Sequence, residues 1–150
     1  MSTWANRITE AGHEAPENLL ANPRNWRVHS GDQQRALQAL LDEVGWVEDV
    51  VVNRQTGHIV DGHLRVQLAL RREEPTIPVL YVDLSDAEER LVLATLDPIA
   101  GQAETDPANL DTLLRQIDTS SADLQSLLAQ IADDAGIGEG GGSLEGPLPV

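Results

Sequence analysis

The residue types best suited to chemistry gather in one short stretch, Gly57-His58-Ile59-Val60-Asp61-Gly62-His63-Leu64-Arg65. A strand that runs through Gly62 straight into a helix leaves the first amides of that helix pointing outward. With the helix dipole, these amides make a seat for an anion. Gly62 would let a ligand approach the backbone, Arg65 in the first turn would grip a phosphate, and His63 would donate or accept a proton beside it. The competing account is that Asp61 caps the helix with its own carboxylate and fills the seat, with Gly62 serving only a turn. The residues alone leave both accounts open.

A second stretch, Asn22-Pro23-Arg24-Asn25-Trp26-Arg27-Val28-His29, sets two arginines three residues apart around a tryptophan, behind a rigid proline. Such a group can present guanidiniums and a stacking face to a nucleotide or a nucleic-acid backbone. Arg24 is then a candidate phosphate ligand, and Asn22, Trp26, Arg27 and His29 are candidate nucleic-acid contacts. The alternative is that Trp26 packs over the edge of a core while the arginines pair with Asp42, Glu43 or other nearby acids.

Other chemistries fare worse. His13, His29, His58 and His63 are not spaced as helical metal pairs, and Asp61 with His63 supplies two ligands at most, so no dedicated metal centre is expected. With neither a Gly-x-Ser-x-Gly elbow nor a Gly-Lys phosphate loop, and with no cysteine or lysine, the sequence excludes phosphate-loop NTPases, Schiff-base enzymes, thiolate metal sites and disulfide scaffolds. No catalytic residue can be assigned. Glu88-Glu89 and Asp133-Asp134 read as solvated helix faces.

The charge balance qualifies the anion reading. A formal net charge of -15 over 150 residues repels phosphate at long range. The charge is uneven, however: residues 101–150 hold nine acids and one arginine, whereas residues 22–72 hold seven arginines against six acids. The repulsive part therefore lies mainly beyond the two motifs. All ten cations are arginine, which suits bidentate phosphate contacts, although a GC-rich coding sequence would produce the same bias.

The elements that must position these residues follow from the periodicity. A short strand is expected near Arg7 to Ala11. From Asp32, Leu37, Leu40, Leu41 and Val44 fall on one helical face, closed by Gly45. Val50 to Asn53, the turn Gln55-Thr56-Gly57 and Ile59-Val60 read as a hairpin-like pair of strands, followed by a helix over His63 to Glu73 and a strand over Ile77 to Val82. Ser85 and Glu88 have the form of a capping box, opening a helix over Asp86 to Leu96 that Pro98 should stop. Two more helices begin at Asp106-Pro107 and Ser121, carrying Leu110, Leu113, Leu114 and Ile117, then Leu124, Leu127, Leu128 and Ile131. Their narrow stripes need a partner: the main domain, each other or a second copy. Hydrophobic content of 41% without any apolar run near the ~20 residues of a bilayer crossing fits one globular domain with an appendage. The start, MSTWANRITE, has no basic-then-apolar signal pattern, so a cytoplasmic address is expected.

In order and spacing these blocks resemble the ParB/sulfiredoxin-like N-terminal domain, also called the ParB-like nuclease domain family. They are most similar to the version that precedes the catalytic domain of phage and bacterial DNA modification methylases. The resemblance runs from about Leu20 to Ile99. Four blocks carry it: Asn-Pro-Arg-Asn-Trp-Arg-x-His at 22–29, Val-Asn-Arg-x-Thr-Gly-His-x-Val-Asp-Gly-His-Leu-Arg at 52–65, Pro-Val-Leu-Tyr-Val-Asp-Leu-Ser at 78–85 and Glu-Glu-Arg-Leu-Val-Leu-Ala-Thr-Leu-Asp-Pro at 88–98. It implies a compact α/β domain, a small mixed sheet flanked by helices, whose turn at Asp61, Gly62, His63 and Arg65 binds a nucleotide phosphate, with CTP or ATP and Mg²⁺ as the implied cofactors. The sulfiredoxin cysteine is absent, which removes that chemistry. The second arginine of the ParB turn is replaced, and no later asparagine- and arginine-bearing nucleotide motif follows Ser85. Phosphate binding is therefore better supported than hydrolysis.

The expected organisation is a ParB/sulfiredoxin-like domain over 1–100, an acidic helical hairpin over 101–135 and a flexible Gly/Pro-rich tail over 136–150. No Asp-Pro-Pro-Tyr-type or Asn-Pro-Pro-Tyr-type methylase motif occurs, so the chain is not expected to methylate DNA by itself. The leading expectation is a module, non-catalytic alone, that binds DNA or nucleotide phosphate and serves DNA modification or partitioning, beside a DNA methyltransferase or another DNA-processing protein and with a homodimer as one assembly. Two alternatives stand beside it. One is a metal-dependent nuclease in which Asp61 and His63 activate water. The other is a protein-interaction module whose phosphate turn is vestigial.

Overall fold

A computed structural model describes residues 3–101 and 103–137 of the chain, arranged in two compact units. The first comprises residues up to 30 together with residues 44–101, and the second comprises residues 31–43 together with residues from 103 onward.

The first unit is built on a four-stranded mixed sheet of β1 (Ile8–Glu14), β2 (Val50–Asn53), β3 (Ile59–Asp61) and β4 (Ile77–Val82), in the order β1-β4-β2-β3. β4 runs antiparallel to β1 and parallel to β2, and β2 runs antiparallel to β3. Alternation along the β-branched runs sends side chains to two faces. Val50, Val52, Ile59, Ile77 and Val79 meet Val66 and Ala69 of helix α2 (His63–Arg71) on one face. On the other, Val60, Val82 and Leu84 pack with Val51 and with Val92 of helix α3 (Asp86–Gly101). A parallel pair such as β2 and β4 needs a long connection, and β3 with α2 supplies it.

Most of the expected elements are present, with shifted ends. The first strand runs to Glu14 instead of stopping at Ala11, because its pairing with β4 continues to Glu14 opposite Ile77. The helix α3 passes through Pro98 to Gly101, where a stop had been expected. Proline removes one backbone donor and crowds the residue four positions earlier. Here that residue is the small, exposed Ala94, whose carbonyl water can serve, so a surface helix tolerates the break. The capping box at its start forms: the Ser85 amide donates to Glu88 Oε1 at 2.8 Å and the Glu88 amide to Ser85 Oγ at 3.2 Å.

The second unit contains α1 (Gly31–Glu43), α4 (Pro107–Arg115) and α5 (Ala122–Asp134), with α5 packed on both of the others. Asp106 and Ser121 cap α4 and α5, accepting from the amides of Asn109 and Leu124. The units are thus not consecutive in the chain: α1, expected within a 1–100 domain, groups with the C-terminal helices. The reason is legible in its apolar stripe, which, like those of α4 and α5, is too narrow to bury itself and is met by α5. Of the expected 136–150 tail, all but Gly136 and Ile137 lies outside the described residues. Among the described residues no helix is long and apolar enough to cross a membrane.

Candidate functional site: the Gly62 turn and its support

All the candidate residues lie in the first unit. β3 ends at Asp61, Gly62 follows with φ 102°, and α2 begins at His63. This left-handed conformation is accessible to glycine at little cost, and it turns the chain from strand to helix within one residue. The space around Gly62 is equally restrictive. A Cβ there would sit 2.9 Å from Arg65 Nη2 and 3.2 Å from Val50 Cγ2.

No side chain caps α2. The Asp61 carboxylate, the rival occupant of the helix N-terminus, instead lies 3.6 Å from Arg65 Nη2. Arg65 is drawn over the turn and mostly buried, its Nη1 donating to Glu48 Oε1 at 3.0 Å and its Nη2 reaching the Asp49 carbonyl at 3.4 Å. Its Nε is buried and has no partner. The guanidinium therefore lies over the uncapped entry to α2, although three of the protein's own oxygens compete for it.

His63 is buried on the first turn of α2, and its Nε2 accepts from the Asn22 amide at 3.3 Å. A ring nitrogen that accepts from an N–H carries no proton, so the neutral tautomer has its hydrogen on Nδ1. Desolvation pushes the His63 pKa below the ordinary 6.5; the nearby Arg27 and His29 act in the same direction, and Asp61 opposes them. The imidazole is thus held neutral near pH 7.

That contact joins the two motifs. Asn22 is buried and its Oδ1 accepts from the Arg24 amide at 3.0 Å, a side-chain turn that directs the chain past Pro23. The Arg24 guanidinium lies at the surface, 3.4 Å from Asp86 Oδ1 at the start of α3. Trp26, though 55% exposed, donates its indole N–H to the Leu93 carbonyl at 3.0 Å. Arg27 lies 5.9 Å from the Trp26 ring centroid and pairs with Asp97, with its Nε buried and unpartnered. The arginines do pair with acids of the protein, but these are Asp86 and Asp97 of α3 instead of Asp42 or Glu43, because residues 24, 26 and 27 all bond to that helix. Of the candidates, Asp61, Gly62, His63 and Arg65 form the turn, Asn22 joins it through His63 and holds the Arg24 backbone, the Arg24 guanidinium, Trp26 and Arg27 bond to α3, and His29 lies close enough to influence His63.

Sequence reasoning missed the residue that organises this neighbourhood. Glu89, read as part of a solvated acidic pair, is 0% exposed. Its Oε1 accepts from Thr56 Oγ1 at 2.6 Å and Asn53 Nδ2 at 2.8 Å, and its Oε2 from Asn22 Nδ2 and His58 Nδ1, both at 3.1 Å. Burial alone would raise the Glu89 pKa, but the four hydrogen bonds outweigh it and hold the carboxyl below the ordinary 4.5. Glu88, its neighbour, does face outward: paired with Arg7 and bonded to the Ser85 amide, it is lowered to about 2. The missed signal was the spacing Ser85-x-x-Glu88-Glu89, in which the capping acid faces out and the next residue, 100° around the helix, turns in. Among the described residues no three of His, Asp and Glu converge as metal ligands.

No protein-family model matches the chain, and no curated protein does. Solved structures do. C-terminally truncated chromosome-partitioning protein ParB from Caulobacter crescentus, complexed with CTP-γ-S, superposes with a TM-score of 0.58 at 17% identity, covering 80% of this chain and 71% of that one. The C2221 form of the Pnob8-like ParB-N domain gives 0.53 at 16% identity over 87% and 51% of the respective chains. A further structure of the pNOB8-like ParB N-domain gives 0.52 at 16% over 89% and 50%. The chain thus spans about half the length of those two and more of the first. At such identities the likeness concerns the fold: this chain is an α/β protein with the fold of a ParB N-terminal domain.

Proposed function

We propose that the chain is a ParB-like module that binds a nucleotide or nucleic-acid phosphate at the Gly62 turn, in the service of DNA partitioning or DNA modification. The observation that carries this reading is the uncapped, left-handed entry to α2 with Arg65 lying over it, and Asn22, which bonds His63, also holds the backbone of Arg24. The α2 amides would hold phosphate oxygens, Arg65 would supply charge after exchanging part of its contact with Glu48 and Asp49, and Arg24 would leave its loose pair with Asp86. His63, held neutral, would present only its Nδ1 proton. Two of the similar structures are described as ParB N-domains and a third as a complex with a CTP analogue, so CTP or ATP, with Mg²⁺, is the nucleotide class to test. A DNA methyltransferase partner, a homodimer and a cytoplasmic workplace belong to the same proposal.

The test is calorimetric titration of CTP, ATP and short duplex DNA into the wild type and the Arg65→Ala and Arg24→Ala variants. The expected result is binding of at least one ligand, weakened in both variants. Binding of none removes the proposal. The nuclease alternative is disfavoured by His63, whose Nε2 already accepts from Asn22 and is not free to ligate. The interaction alternative retains support from the second unit, where Leu113 on α4 and Ile117, just past the end of that helix, remain 54% and 41% exposed.

A further inference from the structure

We propose that Glu89, a residue with no place in the phosphate turn itself, is a positioning residue for it, acting through the side-chain amide of Asn22. The inference rests on the anion-binding reading above and adds to it the part that sets the geometry.

The Asn22 amide is fixed in one orientation. Its NH₂ donates to Glu89 Oε2 at 3.1 Å and to the Ile59 carbonyl at 3.2 Å, which leaves Oδ1 to accept the Arg24 amide at 3.0 Å. A flipped amide would set its oxygen against two acceptors and its NH₂ against a donor. With the side chain locked, the Asn22 main-chain amide points at His63 Nε2 and fixes the imidazole tautomer. Glu89 thereby determines both where Arg24 leaves the backbone and which nitrogen of His63 carries the proton, without touching either residue. Asn53 mirrors the arrangement on the opposite oxygen. It donates to Glu89 Oε1 at 2.8 Å and the Leu84 carbonyl at 3.0 Å while its Oδ1 accepts the Leu84 amide at 3.0 Å and the Gln55 amide at 3.3 Å. One carboxylate from α3 thus orders two segments: residues 22–24, which touch His63 of the turn directly, and the β2–β3 connection, which reaches Gly62 only through the length of β3. The arm through Thr56 and Asn53 serves the β2–β3 connection and makes a natural internal control.

The Glu89→Gln side chain keeps the size of the original but presents an NH₂ to donors that need an acceptor, so it removes the lock on Asn22 or on Asn53. The experiment compares wild type, Glu89→Gln, Asn22→Ala and Thr56→Val as full chains, with folding checked by circular dichroism. Asn22→Ala cuts the link whichever way the new amide of Glu89→Gln lies, and it decides the case. The first readout, in ligand-free protein, is the His63 tautomer from long-range ¹H–¹⁵N correlation spectra. The second is affinity for inorganic phosphate and for CTP. The wild type and Thr56→Val are expected to keep the Nδ1–H tautomer and their affinity. Asn22→Ala, and Glu89→Gln if its NH₂ faces Asn22, are expected to lose the tautomer bias and to bind about tenfold more weakly, the scale of one well-aligned hydrogen bond. If the wild type binds and folded Asn22→Ala matches it in tautomer and affinity, the positioning role is overturned while the anion seat stands. Equal losses in Thr56→Val would likewise overturn it, showing a general loosening. If the wild type binds neither phosphate nor CTP, the anion reading fails and the positioning role fails with it.

Discussion

The Glu89 knot and the Gly62 turn share Asn22, yet they are built on opposite plans. At Glu89 a buried carboxylate finds two donors on each oxygen, all from side chains, and is closed to any ligand. At Gly62 the amides of α2 have no side-chain cap, and Arg65 keeps a buried Nε without a partner. A buried polar group that is fully satisfied holds structure together; one left open beside a cation marks where a ligand could complete the set. The comparison locates the candidate site at the open end and assigns the closed end to its support.

The comparison breaks most sharply if the closed end is removed. Glu89→Ala leaves Asn22, Asn53, Thr56 and His58 without their common acceptor and should cost about 3–5 kcal/mol, since each buried donor left unpaired costs about 1–3 kcal/mol. Urea denaturation of the variant measures it. A cost below about 1 kcal/mol would mean that the carboxylate is not the buried hub described.

Next in size is Gly62→Ala. The backbone at φ 102° and the contacts that a new Cβ would make with Arg65 and Val50 place the expected cost at about 1–3 kcal/mol. The same substitution should push the Arg65 guanidinium away from the α2 amides and lower phosphate affinity. Stability lost with affinity intact would detach Gly62 from binding and leave it as a turn residue.

The shared residues also separate the two ends by pH. His63 has a lowered pKa in the fold, so its protonation is more costly there than in the unfolded chain. Stability should therefore decline as pH falls from about 6.5 toward the folded-state value, and be unaffected above about 6.5. Glu89 is lowered from 4.5, so the stability it contributes is complete above that value and drains away only as pH falls further. Melting temperature against pH should show the histidine step first, and His63→Gln should erase that step while leaving the acid one. A profile unchanged by His63→Gln would mean that the imidazole does not sit buried against Asn22.

How much of this was legible in the sequence depends on the range of the interaction. The capping box, the glycine turn and the strands of alternating β-branched residues are local, and their spacing gives them away. The capping-box spacing could have turned Glu89 inward, but its partners could not have been read, because they are asparagines 36 and 67 residues away and no local pattern encodes those. The passage of α3 through Pro98 and the grouping of α1 with α4 and α5 were missed for the same reason. Both depend on what packs nearby, not on the segment itself.

The smallest effect on stability is also the one most specific to function. Arg24 and Asp86 form a pair at 3.4 Å with side chains 45% and 55% exposed, so Arg24→Ala should change stability by no more than about 0.5 kcal/mol. Nothing in the fold needs that guanidinium, because Asn22 holds the Arg24 backbone and the substitution leaves it in place. A loss of phosphate or CTP affinity in this variant, at unchanged melting temperature, would therefore report a direct contact with ligand. Affinity equal to wild type would confine the seat to the α2 amides and Arg65. The Asn22 link would then matter through His63 alone, since the backbone of residue 24 would no longer have a charged side chain to aim.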